Sequence, residues 1–293
     1  MAIVADGKKI SQEKEERLRQ QVDEWRGENK IKPLLVSLVA KEDELGLLYT
    51  RLKQEAAERI GLEFKQIEFS FKEKDKAVSI VEAAAEEDNL KGLLIQKPVQ
   101  SMIRQYFKNR DEFRDWWLKV TSQIPIEIDV DGLNPGTLGR MMVGRAKFYP
   151  ATVRAVYEVL LMVYAAKELE GKRVVIVGSS EILGKPLAIL LRDKGMTVVL
   201  CGSSCRNLAE LTKKAEVVMA CVGKPGLIKE EMISRGTVVI DAGMSQIKGK
   251  SVGDVDFDRV KKKAKLITPV PGGIGPMTVA NLLENVVEGL RKR

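Results

Sequence analysis

Tyr49 and Lys53 stand four residues apart in a stretch predicted to be helical, so their side chains share one helix face. The sequence contains no histidine, which excludes Ser-His-Asp and Cys-His catalysis and any histidine-based zinc site. Acid-base chemistry must therefore use lysine, tyrosine, aspartate, glutamate or bound water. Since a helical lysine is usually solvated and a tyrosine usually packs, this spacing alone leaves a structural interpretation open.

A glycine-bearing turn is the second candidate site. Gly178 ends an apolar run, and Gly184 follows where a helix is predicted to begin. Such a turn lets backbone N–H groups approach a pyrophosphate at a helix N-terminus. The spacing is not G-x-G-x-x-G, so a tight turn without a ligand is the alternative. The next strand is followed by Ser203, Ser204 and Arg206, which could bind a 2′-phosphate or simply form a turn.

Two loops also carry polar or conformationally special residues. Asp129 and Asp131 alternate in IDVDGLNPG, so one carboxylate can face a pocket while the other faces away. Aspartate beside glycine also commonly just makes a turn. The segment TPVPGGIGPMT (268–278) combines stiff prolines with glycines that allow close approach, which favours a ligand-contacting loop. The cysteines lack a CxxC pair and are interpreted as small apolar fillers, so no metal site is predicted: Cys201, Cys205 and Cys221.

The composition bounds the class of protein. With 293 residues, 44% hydrophobic and 31% charged, the chain is expected to be globular, with one large or two ordinary domains. No apolar run is long enough to span a membrane, and the N-terminal sequence is charged, so the cytoplasm is expected. The net charge of +8 is interspersed, which favours a solvated surface over attraction of phosphates or glutamate tails. With 5% aromatic residues, nucleic-acid binding is disfavoured.

From residue 31 onward, short β-rich runs alternate with helical stretches, a pattern typical of a doubly wound α/β fold. In the first half, strands are predicted at 31–40, 62–70 and 91–98, helices at 44–61, 74–89 and around RDEFRDWWLKV, and a loop at 126–144. A long helix is predicted at 152–170. In the second half, five strands are predicted, with helices between the first four: 172–178, 196–201, 215–223, 236–243 and 264–270.

Several motifs together resemble the methylenetetrahydrofolate dehydrogenase/cyclohydrolase family over nearly the whole chain. Tyr49 to Lys53 matches the family's Tyr-x-x-x-Lys, and Gly92 to Gln96 matches its Gly-x-x-x-Gln. The remaining matches are Asp-Val-Asp-Gly at 129–132, the cofactor loop at 178–186, GDVDF at 253–257 and TPVPGGIGPMT at 268–278.

The resemblance implies a two-domain α/β fold with a folate cleft between the domains. The folate-binding catalytic domain is expected at 1–150 with the C-terminal helix 276–293, and the Rossmann-like dinucleotide-binding domain at 151–275. The implied activity is oxidation of 5,10-methylenetetrahydrofolate with NADP, NAD being possible, and hydrolysis of the methenyl product to 10-formyltetrahydrofolate. The alternatives are a cyclohydrolase with weak or NAD-shifted dehydrogenase activity and a non-catalytic binder. A homodimer is expected.

The resemblance also implies roles for individual residues. Lys53 is the catalytic candidate, with Gln96 holding its amine and Tyr49 orienting the substrate, while Asp131 binds the pterin ring. The folate side is completed by three loop residues: Pro271, Gly272 and Gly273. The cofactor is expected to contact Gly178, Ser179, Ser180, Ser203 and Met244.

The chain departs from the family pattern at both sites. Lys97-Pro98-Val99-Gln100 replaces Leu-Pro-Leu-Pro, and the segment 97–128 is longer than in the family. Ser179 replaces an arginine, which is the natural partner of a 2′-phosphate. Discrimination between NADP and NAD is therefore expected to be weak.

Overall fold

The computed structural model describes residues 2–247 and 249–291. The chain forms two compact units, each assembled from two segments. Unit 1 comprises Met1–Gln12 and Pro150–Asn281, and unit 2 comprises Glu13–Tyr149 and Leu282–Arg293. The two-domain α/β class is confirmed.

Eleven helices and eleven strands are assigned among the described residues. The N-terminal half contains β1 (Ile3–Val4), α1 (Gly7–Asn29), β2 (Leu34–Ala40), α2 (Glu44–Arg59), β3 (Glu63–Phe69), α3 (Ala77–Ala85), β4 (Leu90–Ile95), α4 (Gln100–Tyr106), α5 (Arg110–Thr121) and α6 (Pro135–Met142). The C-terminal half contains α7 (Ala151–Leu161), β5 (Arg173–Val177), α8 (Gly184–Asp193), β6 (Thr197–Cys201), α9 (Leu208–Lys213), β7 (Val217–Ala220), β8 (Val238–Asp241), β9 (Ser245–Ile247), β10 (Lys250–Val252), α10 (Phe257–Val260), β11 (Leu266–Ile267) and α11 (Ile274–Arg291). Short 3₁₀ helices lie at 71–76, 126–128, 166–169 and 230–232.

Unit 1 is built on a six-stranded parallel sheet in the order β1-β11-β8-β7-β5-β6. The chain runs from β5 outward to β6 and then returns to the other side of β5 as β7. The connections leaving β5 and β7 therefore diverge, which creates the switch point where open α/β sheets bind ligands. The inner strands bury nearly all of their side chains, as parallel strands covered on both faces must; these strands are β5, β7, β8 and β11.

Unit 1 corrects several expectations. The predicted helix 152–170 ends at Leu161, because the chain turns at 162–165 before a 3₁₀ helix. Only the 3₁₀ helix at 230–232 lies between β7 and β8, where a helical stretch was expected. Strand β1 was not predicted, and its pairing with β11 places residues 1–12 in unit 1 rather than with the first half. The hairpin β9–β10 was also unexpected.

The C-terminal helix begins at Ile274, and the boundary between the units falls within it, after Asn281. The predicted helix 276–293 and domain 151–275 therefore differ from these units. Residues 292 and 293 of the predicted helix lie outside the described residues, as does Met1 of the predicted first domain.

Unit 2 contains a three-stranded parallel sheet in the order β3-β2-β4. Every residue of the central strand β2 is buried, as expected for the apolar run 34–40. On β4, a Cβ at Gly92 would lie 3.0 Å from side-chain carbons of Val130 and of Val286 on α11, and 2.9 Å from Leu35. Glycine therefore allows α11 and the loop around Val130 to approach the sheet closely.

The long segment 97–128 is packed onto unit 2 by aromatic side chains. The helix predicted around RDEFRDWWLKV is confirmed as α5, and Asn109 caps it by accepting bonds from the N–H groups of Asp111 and Glu112. The Trp116 indole donates to the Lys74 carbonyl at 2.9 Å. The aromatic cluster comprises Phe69, Phe71, Tyr106, Phe107, Phe113, Trp116 and Trp117.

The predicted loop at 126–144 contains helix α6. Asn134 caps the helix by accepting a bond from the Gly136 N–H at 2.6 Å, and Pro135 occupies its first position. This cap and proline offset the weak helix propensity of the glycines. Helix α6 directly follows the Asp129–Gly132 turn.

Among the described residues, none of the helices has both the length and the apolar character needed to cross a membrane.

Candidate functional site

Helix α2 and the end of β4 place Lys53 beside Gln96 in unit 2. The Lys53 amine donates a hydrogen bond of 3.0 Å to the Gln96 side-chain oxygen. Gln96 follows β4, and its own N–H donates to the Leu38 carbonyl on β2 at 2.7 Å. Tyr49 lies one turn before Lys53 on α2 and is half-buried. The sheet thus positions Gln96, the hydrogen-bond acceptor, and α2 places the Lys53 amine beside it.

Lys53 is a cationic group in a buried position, with 8% of its surface exposed. Burial lowers the pKa of the Lys53 amine below its ordinary value, against a smaller opposing effect of the Asp131 carboxylate. Burial also raises the pKa of the Tyr49 hydroxyl. At a given pH, the Lys53 amine is therefore neutral more often than the amine of a solvated lysine, which suits proton transfer near neutral pH.

The two aspartates of the Asp-Val-Asp-Gly turn occupy different environments. Asp129 is fully buried and accepts bonds of 2.9 Å from the N–H groups of Leu133 and Asn134. Burial raises the pKa of the Asp129 carboxyl, and these hydrogen bonds oppose that rise. Asp131 is half-buried and interacts electrostatically with Lys53. Asp129 therefore stabilises the turn, while Asp131 is the carboxylate that interacts with Lys53.

Helix α11 anchors the same turn. The Asn285 amide donates to the carbonyls of Val130 at 2.7 Å and Tyr149 at 2.9 Å. A buried side-chain amide with two backbone acceptors restrains both segments.

In unit 1, Gly178 forms the turn between β5 and α8. Its φ of +123° is a conformation that side-chain-bearing residues rarely adopt, and a Cβ there would meet the Cys221 carbonyl. A Cβ at Gly184 would collide with the Gly178 carbonyl. The Ser180 hydroxyl accepts from the Gly184 N–H at 3.4 Å, where α8 begins. The turn lies at the switch point of the sheet, and its backbone can approach a pyrophosphate.

The remaining predicted cofactor residues also lie in unit 1. Ser179 and Ser203 are exposed, and Met244 is 41% exposed. A Cβ at Gly202 would lie 3.1 Å from the Ser179 hydroxyl oxygen. The Ser179 side chain therefore points toward the end of β6, where a ribose is recognised in this type of fold.

Two buried carboxylates organise the loops after β7 and β8. Asp254 accepts bonds from the N–H groups of Val222 at 2.6 Å, Gly223 at 3.0 Å and Lys224 at 2.6 Å. Asp241 accepts from Gly243 at 3.0 Å and from Val255 at 2.9 Å. Burial raises the pKa of the Asp241 carboxyl to about 6. Together these bonds restrain the loop 222–224 and Gly243, the residue before Met244.

The segment 268–273 is also tightly folded in unit 1. The Thr268 hydroxyl accepts from the Asp241 N–H at 2.7 Å. Gly272 has a φ of +101°, and a Cβ at Gly273 would lie 2.5 Å from the Pro269 carbonyl oxygen. Pro271, in a cis peptide bond with Val270, is exposed, whereas Gly273 is buried. Pro271 and Gly272 therefore offer the accessible part of this loop.

Sequence analysis assigned no role to Asp43 or to Asp254, although Asp254 lies in the GDVDF motif at 253–257. Asp43 is 2% exposed, caps α2 through the Gly46 N–H at 3.0 Å, and also accepts from the Val99 N–H at 3.1 Å. An aspartate just before a predicted helix signals a cap. Its bond to Val99 has no local sequence signal, and neither do the three bonds to Asp254.

The three cysteines are free thiols. Burial raises the pKa values of Cys201 and Cys221 to about 12, so these two remain protonated at neutral pH. Within residues 2–247 and 249–291, acidic and cysteine side chains form no group of three suited to holding a metal ion.

The fold and the glycine turn define unit 1 as a Rossmann-type dinucleotide-binding domain, accompanied by an α/β unit with a buried lysine. Two family models match this chain: the tetrahydrofolate dehydrogenase/cyclohydrolase catalytic domain at residues 5–113 and the NAD(P)-binding domain of the same family at 150–293. The chain belongs to the tetrahydrofolate dehydrogenase/cyclohydrolase family.

Individual relatives match along the full length. The bifunctional protein FolD of Caldanaerobacter subterraneus is 37% identical over 289 residues, covering 99% of this chain and 97% of that protein. The solved structure of bifunctional FolD from Campylobacter jejuni is 30% identical with a TM-score of 0.87, covering 100% of both chains. The Trypanosoma brucei dehydrogenase-cyclohydrolase, solved with NADP and an inhibitor, is 29% identical with a TM-score of 0.89, covering 99% of this chain and 98% of that one.

Proposed function

We propose that this protein oxidises 5,10-methylenetetrahydrofolate to the methenyl form with NADP and hydrolyses the methenyl form to 10-formyltetrahydrofolate. The observation that carries the proposal is the buried Lys53 amine, held by Gln96 at 3.0 Å beside a half-buried carboxylate. One family model matches the catalytic domain at 5–113, and the other matches the NAD(P)-binding domain at 150–293. Family membership supports both activities, and the Lys53–Gln96 pair supports the hydrolysis.

In the oxidation, the residues of unit 1 position the reactants. Bound NADP would supply the hydride acceptor, and the residues proposed to hold it are Gly178, Ser179, Ser180, Ser203 and Met244. The absence of side chains at Gly178 and Gly184 lets the turn close tightly onto the backbone at the start of α8, where a pyrophosphate is proposed to bind the helix N-terminus. Since hydride transfer depends chiefly on geometry, the restrained loops around Met244 are the protein's contribution to this step.

In the hydrolysis, Lys53 is proposed to move the proton. Water attacks the methenyl carbon, and the neutral Lys53 amine accepts a proton from that water, which leaves a neutral hydroxyl adduct. As the adduct opens, its C–N5 bond breaks, the Lys53 ammonium returns the proton to N5, and the hydroxyl proton is released to solvent, which gives 10-formyltetrahydrofolate. The Gln96 oxygen accepts one N–H of the amine, which directs the nitrogen lone pair elsewhere. Tyr49 is proposed to orient the substrate from the neighbouring turn of α2, and Asp131 to accept hydrogen bonds from the pterin N–H groups.

Pro271, Gly272 and Gly273 are proposed to contact the folate through their loop. Its glycine backbone allows close approach of a flat ligand at the exposed residues. The side chain of Pro271 adds a stiff apolar contact.

The proposed function is tested with purified protein and both reduced folates. Oxidation of methylenetetrahydrofolate is followed with NADP and with NAD, and decay of the methenyl form is followed separately. The expected result is turnover in both assays, with NADP the better cofactor. Hydrolysis with little oxidation, or oxidation mainly with NAD, would instead support the alternative of a predominantly cyclohydrolase enzyme. Binding without turnover in either assay would reject catalysis.

A cytoplasmic location is also proposed. The three cysteines are free thiols, although Cys201 and Cys205 lie close enough for a side-chain hydrogen bond. Reduced neighbouring thiols suit a reducing compartment.

The protein is proposed to be a homodimer joined through β6. This strand forms one edge of the six-stranded sheet, and its Leu200 is 37% exposed. An edge strand has unpaired backbone groups that a second copy can satisfy symmetrically. Sedimentation equilibrium should give twice the chain mass of 32.6 kDa, and Leu200→Lys should shift the population toward monomer. A monomeric parent protein at micromolar concentration would contradict this prediction.

A further inference from the structure

Asp43 connects the two elements that carry the Lys53–Gln96 pair. It lies between β2 and α2, is 2% exposed, and its N–H donates to the Ala40 carbonyl at 3.0 Å. Its carbonyl accepts from the Leu47 N–H at 2.8 Å, which begins the helical bonding of α2. The residue is therefore fixed by its backbone at the point where strand becomes helix.

The two carboxylate oxygens of Asp43 serve different elements. Oδ1 accepts from the Gly46 N–H in the first turn of α2 at 3.0 Å. Oδ2 accepts from the Val99 N–H at 3.1 Å, three residues beyond Gln96. A Cβ at Gly46 would lie 2.9 Å from the Asp43 carboxyl carbon, so the helix turn packs closely against this group.

Gln96 lies just beyond the end of β4, in the connection that leads to α4. Its N–H bonds to Leu38, but β4 itself ends at Ile95, and α4 begins only at Gln100. The bond from Val99 to Asp43 joins this connection directly to the start of α2. Helix α2 then carries Lys53 from the same anchored end.

We propose that Asp43 is a positioning residue for methenyl hydrolysis, because its carboxylate ties the loop bearing Gln96 to the helix bearing Lys53. This inference rests on the proposed function. Loss of the tie should let the loop and helix shift relative to each other, lengthening the amine–amide contact and admitting water. A misplacement of this kind reduces kcat more than it raises KM, since binding contacts elsewhere remain.

Two variants remove the hydrogen bond between Val99 and Asp43: Asp43→Asn changes its acceptor, and Val99→Pro changes its donor. Asparagine caps helices as well as aspartate, so Asp43→Asn can keep the Gly46 bond while placing an amide donor toward the Val99 N–H. Val99→Pro deletes that N–H, and the φ of −68° at Val99 already suits proline. Val99→Ala keeps the N–H and is the matched control. Ile60→Val, which removes a buried methylene at the other end of α2, controls for general destabilisation.

The measurements are kcat, KM and the pH profile of methenyl hydrolysis, with circular dichroism to verify folding. Both tie-breaking variants should lose about 10- to 100-fold in kcat, with a smaller change in KM, while the controls stay near the parent. Water reaching Lys53 should also move the rising limb of the pH profile to higher pH. A loss of less than about fivefold in either variant, a loss no larger than that of Ile60→Val, or an unmoved pH profile overturns the inference. A parent protein without hydrolase activity would instead reject the proposed function.

Discussion

Replacing Lys53 by methionine should abolish methenyl hydrolysis, with a loss of about 10²- to 10⁴-fold in kcat, the range for removing a general acid-base group. Methionine keeps an unbranched side chain of similar length but cannot exchange a proton. Hydride transfer needs no proton acceptor at this position, so dehydrogenase activity should persist and report an intact fold. Arg51→Met on the exposed part of the same helix is the matched control and should leave both activities unchanged. Wild-type hydrolysis in the folded Lys53 variant would contradict the assignment.

The same variant should be more stable to unfolding at neutral pH. Burial lowers the folded-state pKa of Lys53 from its ordinary value of 10.5, so protonation costs more in the folded protein than in the unfolded chain. This cost is complete below the folded-state pKa, fades as the pH rises toward 10.5, and is absent above it. Thermal melts should therefore show Lys53→Met more stable than the parent near neutral pH, with the difference shrinking in alkaline buffer. If Lys53→Met were more stable than the parent by the same amount near neutral pH and in alkaline buffer, the effect could not come from a buried charged amine.

Strands and helices were predicted correctly where the apolar residues follow one pattern, either a continuous buried run or a helical spacing. The buried run of β2 and the helix ending before Gly61 have this character, and Gly61 adopts a φ of +88°. Helix α6 was missed because Gly136 and Gly139 suggested a loop, although Asn134 and Pro135 supply an N-terminal cap. Helix α7 was predicted too long because an apolar pattern continues past the turn at Met162.

Features fixed by distant partners were beyond local prediction. Strand β1 is only two residues long and is defined by pairing with β11, near the other end of the sequence. The spacing of Tyr49 and Lys53 indicated a shared helix face, but the amine's partner, Gln96, lies 43 residues away. Family motifs suggested that partner. Neither spacing nor motif indicated the second hydrogen bond of Asp43, which reaches 56 residues along the chain.

The two aspartates of the 129–132 turn show the same limit. Their alternation predicted that they would face different surroundings, and the structure buries Asp129 while leaving Asp131 half-buried beside Lys53. Which of the two is buried depends on the N–H groups of Leu133 and Asn134. Those donors become available only because the chain turns into α6.

Replacing Ser179 by arginine should raise NADP affinity by about 10- to 100-fold while leaving NAD affinity nearly unchanged. An arginine can clamp a phosphate with charge-assisted hydrogen bonds of about 1.5–3 kcal/mol, whereas serine supplies one neutral bond of about 1 kcal/mol. Solvent screening at this exposed position lowers the net gain to about 1.4–2.7 kcal/mol, which corresponds to 10- to 100-fold. Position 179 suits this test, because its side chain points toward Gly202 at the end of β6. No acidic residue occupies 202–206, so nothing there repels a 2′-phosphate, and the exposed Arg206 is the cation proposed to favour NADP in the parent.

Ser179→Gln is the matched control, since glutamine extends the side chain without adding charge and should leave the NADP-to-NAD affinity ratio nearly unchanged. Affinities are measured by titration with each dinucleotide at low and high salt. Because the added attraction is between charges, the gain of the arginine variant should shrink as salt increases. A parent protein that already prefers NADP by more than about a hundredfold would contradict the prediction, because another cation would then already take the place of the missing arginine.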